Sequence, residues 1–102
     1  MLEVDLPYPP SVNHYWRHWR GRVVVSREGR RFRESVAARL AASGVRPLEG
    51  PLKVEIELYP PDRRRRDVDN AQKALLDALE KGGAYHDDSQ IVDLRALKLD
   101  PV

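Results

Sequence analysis

The sequence contains no cysteine, and this absence excludes two kinds of site. Without thiols the chain can have neither a disulfide framework nor a thiolate-bound metal. It also lacks an apolar run long enough to span a bilayer, and its N-terminus shows no signal peptide. These absences fit a reducing compartment, so we expect a cytoplasmic protein with no membrane partner.

Neither the length nor the composition favours more than one domain. A chain of 102 residues is long enough for one domain with a small hydrophobic core. Charged residues make up 33% of the chain, but its apolar residues recur periodically. The periodicity predicts a folded domain rather than a disordered segment.

Acidic residues are scarce in the first half of the chain and concentrated in the second. From Ser11 to Arg46 there are nine arginines against two glutamates, whereas Asp67 to Asp93 holds seven acids against two lysines. Arginine supplies 14 of the 18 basic residues, and its planar group suits bidentate phosphate contacts. This distribution favours a nucleic-acid or other polyphosphate partner. A GC-rich genome that favours arginine codons is the alternative explanation.

Alternation, helical spacing and turn residues predict the main elements. Apolar residues alternate with charged ones in the first strand, and Phe32, Val36 and Leu40 recur every four residues in the first long helix. The predicted elements are, in order, a strand over Leu2–Leu6, a short helical turn capped by Ser11, a hairpin within His14–Ser26 that turns at Arg20 and Gly21, a helix from Ser26 to Ser43 and Gly44, a strand over Leu52–Leu58, a helix ended by Gly82 and Gly83, and a strand over Ile91–Leu99.

The hairpin and the first long helix are rich in arginine. In the hairpin, aromatic residues are interleaved with arginines, a pattern that can stack bases and contact phosphates. Core packing is the alternative role for Trp16 and Trp19, and we expect it for at least one of them. A solvated face is the alternative for the helical arginines. The residues predicted to bind DNA in these elements are Arg17, Arg20, Arg22, Arg30 and Arg31.

Four consecutive arginines, Arg63, Arg64, Arg65 and Arg66, lead directly into an acidic motif. We expect these arginines to contact DNA phosphates. Asp67 and Asp69 follow, and the intervening Val68 is predicted to be extended or in a turn, which would place both carboxylates on the same side.

Two residues of this motif also have structural alternatives. Asp69 stands where a helix cap belongs, with Gln72 three residues later in the spacing of a capping box. Lys73, one turn into the helix, can orient water or neutralise charge on a phosphate. It can equally form an ion pair with Asp69 or Asp77.

A second acidic pair, Asp87 and Asp88, follows the glycines that end this helix. A helix of about 12 residues would be about 18 Å long, so a short loop cannot return Asp88 to Asp69. Either a second copy of the chain or a crossing by the final segment would be required. The sequence leaves both possibilities open.

Carboxylate oxygens without thiols suit Mg²⁺ or Mn²⁺ better than zinc. The spacing of His14 and His18 resembles a zinc pattern, but Tyr15 stands where the required glutamate belongs. An EF-hand is rejected because Gln72 and Ala78 occupy its glycine and glutamate positions. Magnesium held by carboxylates would activate water for in-line attack on a phosphodiester.

The acidic motif resembles that of the RusA family of Holliday junction resolvases. The resemblance lies in the pattern R-R-R-R-D-V-D-N-x-x-K-x-x-x-D-A-L and then G-x-x-x-D-D-x-Q-I-V, and in the N-terminal segments LPYPPSVNHYWR and RGRVVVS. It covers nearly the whole chain, so it implies one RusA-like endonuclease domain over residues 1–102. The fold it implies is α/β (α+β), a mixed β-sheet with two main helices packed against it.

The resemblance also implies a function and its residues. It implies a Mg²⁺-dependent endonuclease, a homodimer that cuts four-way DNA junctions in recombination and repair, in bacteria, phages or prophages. Asp67, Asp69 and Asp88 resemble the family's metal-binding catalytic acids, Asp87 an assisting metal ligand, and Lys73 the catalytic lysine. A twofold-symmetric junction would suit a C2 dimer.

The residues are also compatible with two other functions. A branched-DNA-binding module without catalysis, or a nuclease for other branched DNA, would share these residues. Family members usually continue past the position of Val102 into another strand, so we expect this sheet to lack an edge strand.

Overall fold

In the computed structural model, the described residues, 2–100, form four strands, three α-helices and one 3₁₀ turn. The element order is α1 (Val12–Tyr15), β1 (Trp16–Trp19), β2 (Arg22–Val25), α2 (Arg27–Ala42), β3 (Leu52–Leu58), α3 (Val68–Gly82), the 3₁₀ turn (Asp88–Gln90) and β4 (Ile91–Lys98). The α+β class that the sequence predicted is therefore confirmed, with α2 and α3 as the two main helices.

The strands form two separate sheets rather than the single mixed sheet that was predicted. β1 and β2 pair with each other in an antiparallel hairpin, and β3 and β4 form a parallel pair. Parallel neighbours require a long crossover connection, and here α3 supplies it. Because β4 returns beside β3 after this crossover, the chain after α3 runs back towards the start of that helix.

The hairpin turns where the sequence predicted. Arg20 and Gly21 both have positive φ, 49° and 73°, between the paired residues Trp19 and Arg22. Positive φ at both central residues is the geometry of the two-residue turns that match the twist of a hairpin. Trp16 packs against the core while Trp19 is 42% exposed, so one tryptophan has the core role that we expected.

The predicted strand over Leu2–Leu6 is wrong, since these residues form no regular element. Val4 and Leu6 still pack against the core, while Glu3 and Asp5 are exposed. The alternation therefore identified the packed side at Val4 and Leu6, but Leu2, on the same predicted face, is 40% exposed. A strand also needs a backbone partner along its length, and alternation carries no information about that partner.

α2 begins and ends at the residues that the sequence indicated. The Ser26 hydroxyl accepts a hydrogen bond from the Gly29 N–H at 2.9 Å and so caps the helix. Phe32, Val36 and Leu40 are buried on one face. The chain then leaves the helix at Gly44, which has a φ of 70°.

α3 begins earlier than predicted. Its N-cap is Asp67 and its first helical residue is Val68, so Asp69 lies inside the first turn and Val68 is not extended. The proposed capping role of Asp69 is therefore wrong. The helix has 15 residues rather than about 12 and is about 22 Å long. It ends at Gly83, whose φ of 94° favours glycine.

A partly buried polar network joins the three helices. Tyr15 is 0% exposed, and its hydroxyl donates to the Asp77 carboxylate. Arg33 Nε donates to the Tyr15 oxygen at 2.7 Å, and its guanidinium contacts Asp77 at 2.6 Å. Burial, together with the hydrogen bond to Asp77, raises the pKa of Tyr15 to about 12. Arg33, another arginine of α2, thus has structural partners in Tyr15 and Asp77 and is not part of a solvated face.

Gly29 is the position in α2 that has no room for a side chain. A Cβ there would lie 2.4 Å from the Tyr15 carbonyl oxygen and 2.8 Å from a Val25 methyl. We expect Gly29→Ala to lower the free energy of unfolding by about 1–3 kcal/mol, because backbone must shift to relieve the overlap. Urea denaturation measures this change.

Gly82→Ala is the matched control, since its Cβ would approach a flexible Leu40 methyl at 3.2 Å. Equal losses of stability in the two variants would contradict the prediction.

Candidate metal centre and nucleic-acid interface

An acidic cluster forms where α3 ends and the 3₁₀ turn begins. Glu80, Asp87 and Asp88 each offer a carboxylate oxygen, and these oxygens lie within 4.8 Å of one another. Glu80 accepts a hydrogen bond from the Asp88 N–H at 2.8 Å, which holds the turn against the helix. Within residues 2–100 this is the only group of three or more acidic or histidine side chains close enough to share a metal ion.

The two aspartates of the cluster have pKa values shifted in opposite directions. The backbone N–H of Ser89 donates to Asp87 and lowers the pKa of that carboxyl. The hydrogen bond with Asp87 raises the pKa of Asp88, and the nearby negative charge of Glu80 adds to the effect. Negative charge is thus concentrated in the cluster, and a bound cation would neutralise that charge. Hard carboxylate oxygens of this kind fit a divalent cation such as Mg²⁺.

The first acidic pair lies at the other end of α3. Asp67 caps the helix without a side-chain hydrogen bond, and both Asp67 and Asp69 are exposed. In the same chain, about 17 Å of helix lies between Asp69 and Glu80, the residue that binds the Asp88 N–H. The structure thus brings Asp87 and Asp88 together with Glu80, and it does not bring Asp88 together with Asp67 and Asp69.

Lys73 is exposed on α3 and forms no ion pair within 4.0 Å among the residues described. The predicted alternative, a pair with Asp69 or Asp77, is wrong. Asp77 is occupied by Arg33 and Tyr15.

The arginine loop before α3 is organised by an acid that the sequence analysis missed. Asp62 accepts hydrogen bonds from the Arg64 backbone N–H at 2.9 Å and from Arg66 Nη1 at 2.5 Å. The bonds from Arg66 and then Arg64 hold the pKa of Asp62 well below its usual range. Arg66 also lies over the Tyr8 ring at 5.7 Å and is only 22% exposed. The Arg66 guanidinium is therefore largely occupied by contacts with Asp62 and Tyr8, whereas Arg63 and Arg65 are exposed.

A cleft of about 590 Å³ opens between this loop, the N-terminal segment and the start of α3. Tyr8 lines it, and the Tyr8 hydroxyl is buried without a hydrogen-bond partner. The other lining residues are Pro9, Pro10, Ser11, His14, Glu28, Arg64, Arg65, Arg66, Asp67, Asn70 and Ala71. The cleft thus places Arg64, Arg65 and Arg66 beside Asp67.

The remaining predicted DNA-binding arginines lie outside this cleft. Arg17, Arg20 and Arg22 are exposed on the hairpin, and the Arg20 guanidinium stacks on the Trp19 ring at 4.6 Å. Arg30 and Arg31 are exposed on α2. Their contact with DNA stays a prediction.

Removing Asp62 should change how DNA binding responds to salt. In Asp62→Ala, Arg64 and Arg66 lose the anion that neutralises them and become free to contact phosphates. We expect the slope of log K against log salt for duplex DNA to steepen by about one, because each new phosphate contact releases about one counterion. Fluorescence anisotropy at several salt concentrations measures the slope.

The matched control is Glu55→Gln, which removes one exposed acid from β3 without releasing an arginine. An equal steepening in both variants would mean that only net charge matters. An unchanged slope in Asp62→Ala would show that the loop arginines were already available.

An acidic cluster and an arginine-lined cleft on a small α+β domain are typical of proteins that act on phosphodiesters with a metal ion. Comparison with known proteins identifies the family. A model of the family described as endodeoxyribonuclease RusA matches residues 7–100. The chain belongs to the RusA family of endodeoxyribonucleases, a family of enzymes, which confirms the resemblance seen in the sequence.

Curated relatives agree with the family match. The chain is 50% identical over 97 residues to "Crossover junction endodeoxyribonuclease rusA" of Enterobacteria phage 82. It is 50% identical over 98 residues to the RusA protein of that name from Escherichia coli K12, and 48% identical over 98 residues to the one from Shigella sonnei. Each alignment covers 94% of this chain and 81% of the relative. None of the described helices is both long and apolar enough to cross a membrane.

Proposed function

We propose that this protein is a Mg²⁺-dependent, structure-selective endonuclease that resolves four-way DNA junctions by paired symmetric nicks, in recombination and repair. The observation that carries the proposal is 50% identity, over 94% of the chain, to proteins named crossover junction endodeoxyribonuclease. The carboxylate cluster and the arginine-lined cleft supply the chemistry that such a reaction needs. The phage and enterobacterial relatives favour a bacterial or phage cytoplasm, and residues 1–102 act as one domain.

The predicted acids, Lys73 and three of the loop arginines have roles in this proposal. Asp67, Asp69 and Asp88 hold Mg²⁺, with Asp87 assisting and Glu80 as a further donor that the sequence analysis did not single out. When bound, Mg²⁺ lowers the pKa of water and stabilises the leaving oxygen. Lys73, unpaired among the residues described, places its ammonium where charge develops on the phosphate. Arg63 and Arg65 bind flanking phosphates, and Arg66 holds the loop through Asp62.

We further propose that the active form is a homodimer and that each site combines acids from both chains. Two observations support this. Within one chain, Asp69 lies 11 residues before Glu80 on α3, about 17 Å along the helix, and Glu80 is the residue that binds the Asp88 N–H. β4 also presents apolar side chains to solvent, with Val92 68% and Leu94 38% exposed. Two sites related by a twofold axis would match the symmetry of a four-way junction.

A synthetic four-way junction tests the activity. With Mg²⁺, the protein should nick two opposed strands at symmetric positions and leave linear duplex of the same sequence intact. Flaps and three-way junctions in parallel reactions separate a junction resolvase from a nuclease for other branched DNA. Intact junctions in every divalent metal, at protein concentrations that saturate binding, would overturn the proposal.

The alternative function is a branched-DNA-binding module without catalysis. The observation that favours it is the separation of Asp88 from Asp67 and Asp69 within one chain. Such a module would bind junctions with strong salt dependence and would cut none of them.

A further inference from the structure

We propose that Gln90 is a positioning residue that holds the Asp87–Asp88 turn in place and thereby sets the position of the Asp88 carboxylate in the site. This inference rests on the proposed role of Asp88 as a metal ligand. Gln90 itself need not touch metal or DNA. It acts through the backbone that carries the two aspartates.

The Gln90 carboxamide uses all of its hydrogen-bonding groups. Its Oε1 accepts from the N–H of His86 at 2.8 Å and from the N–H of Asp87 at 3.0 Å. Its Nε2 donates to the carbonyl oxygens of Leu48 and Gly50, both at 2.9 Å. An amide offers two acceptor sites and two donors, so all four are satisfied. Only an amide in this orientation complements two N–H groups and two carbonyls.

These bonds join two segments that are far apart in the sequence. Gln90 is separated from Leu48 by 42 residues. The same two segments also meet through the Leu48 N–H, which donates to the Ala84 carbonyl at 2.9 Å, and through a parallel bridge between Leu48 and Tyr85. The turn is thus tied to the segment that leads into β3. The position of the acids depends on this attachment as well as on α3.

The backbone, rather than side-chain packing, determines where the Asp88 carboxylate lies. Asp87 and Asp88 are exposed, so packing does not hold their side chains. Their location is set by the backbone, which Gln90 holds at His86 and Asp87 and which Glu80 holds at the Asp88 N–H. A metal site needs its ligands held close to the productive geometry before the ion binds.

Two substitutions separate the effect of the four hydrogen bonds from the effects of side-chain size and charge. Gln90→Met keeps the length of the side chain and its neutrality but removes every bond. Gln90→Glu keeps the two acceptors and turns a carboxylate towards the carbonyls of Leu48 and Gly50. Glu49→Gln is the control. Glu49 lies on the same segment, its side chain is 86% exposed, and it contacts His86 at 3.0 Å without taking part in the Gln90 bonds.

Junction cleavage is measured against Mg²⁺ concentration, and junction binding is measured separately in EDTA. For Gln90→Met and Gln90→Glu we expect the rate to fall by about 10- to 100-fold, the cost typical of losing an outer partner of a metal ligand. The Mg²⁺ concentration for half-maximal cleavage should rise, while binding in EDTA stays near that of the wild type. The melting temperature should fall by several degrees, because the hydrogen bonds that join the two segments are lost. Glu49→Gln should behave as wild type in all four measurements.

Amide hydrogen exchange tests the Gln90 hydrogen bonds without metal, and its first readout needs only the wild-type protein. The His86 and Asp87 amides should be protected although both residues are exposed, and in Gln90→Met that protection should be lost while Val36 and Leu40 keep theirs. Free exchange of His86 and Asp87 in the wild type would overturn the proposal even if the variants failed to fold.

Two further outcomes would also overturn the proposal. One is wild-type cleavage and Mg²⁺ requirement in Gln90→Met. The other is a loss of cleavage in Gln90→Met that is matched by an equal fold-loss of junction binding in EDTA. Full activity in Asp88→Asn would instead contradict the proposed function of Asp88, while the exchange data would still test the Gln90 hydrogen bonds.

Discussion

Asp88→Asn should abolish junction cleavage and leave junction binding intact. The substitution keeps the size of the side chain but replaces an anionic ligand with a neutral one. Loss of an outer partner of a metal ligand already costs about 10- to 100-fold, so loss of a ligand should exceed about 100-fold. Single-turnover cleavage at saturating Mg²⁺ measures the rate. Binding in Ca²⁺ or EDTA measures the affinity, which depends mainly on the arginines.

Asp93→Asn is the matched control. Asp93 is an exposed acid at the start of β4, five residues after Asp88, and it lies outside the acidic cluster. It should cleave as wild type. If Asp88→Asn and Asp93→Asn cleaved equally well, Asp88 would not be a metal ligand, and the proposed site would be wrong.

Two inactive variants should restore one active site when they are combined in a dimer. If each site takes Asp69 from one chain and Asp88 from the other, then a heterodimer of Asp69→Asn and Asp88→Asn has one intact site and one doubly defective site. We expect it to nick one strand of the junction, while each parent homodimer cuts none. Co-expression with two affinity tags isolates the heterodimer, and denaturing gels show which strands are cut.

The control is a heterodimer of Asp67→Asn and Asp69→Asn. Both substitutions affect the same end of α3, so no combination of these chains contains an intact site. An inactive Asp69→Asn and Asp88→Asn heterodimer would mean that each site lies within one chain. A monomer by light scattering at the concentrations that cleave DNA would contradict the dimer altogether.

The acidic cluster explains why these experiments concentrate on Asp88. Sequence reasoning found Asp87 and Asp88 from their spacing after the glycines, but it missed Glu80 as their neighbour. Glu80 lies in the last turn of α3, where a glutamate ordinarily faces solvent. Its contribution becomes visible only when the 3₁₀ turn folds back and the Asp88 N–H reaches its carboxylate at 2.8 Å.

The arginine loop also depends on a contact that the sequence did not reveal. Four consecutive arginines indicated a phosphate-binding surface, and their number suggested that all four face the ligand. In the structure Asp62 binds two of them, and Arg66 lies over Tyr8. A run of like charges predicts the potential of a surface, but the acid that neutralises part of it is identified by geometry.

By itself the sequence determined the features that depend on neighbours a few residues away. The hairpin turn at Arg20 and Gly21, the Ser26 cap and the apolar face of α2 follow from local backbone preferences and helical spacing. The acidic motif also belongs here, since it identified the family from residue types and spacing.

Only the tertiary structure decided which distant groups meet. It placed β4 beside β3, joined Arg33 to Asp77, and set Gln90 against the carbonyls of Leu48 and Gly50. The physical reason is that local propensities act within about one helical turn or one hairpin, whereas these contacts join residues up to 44 positions apart. Such contacts form when helices, strands and loops from distant parts of the chain pack together. No single stretch of the sequence shows which of these elements will meet.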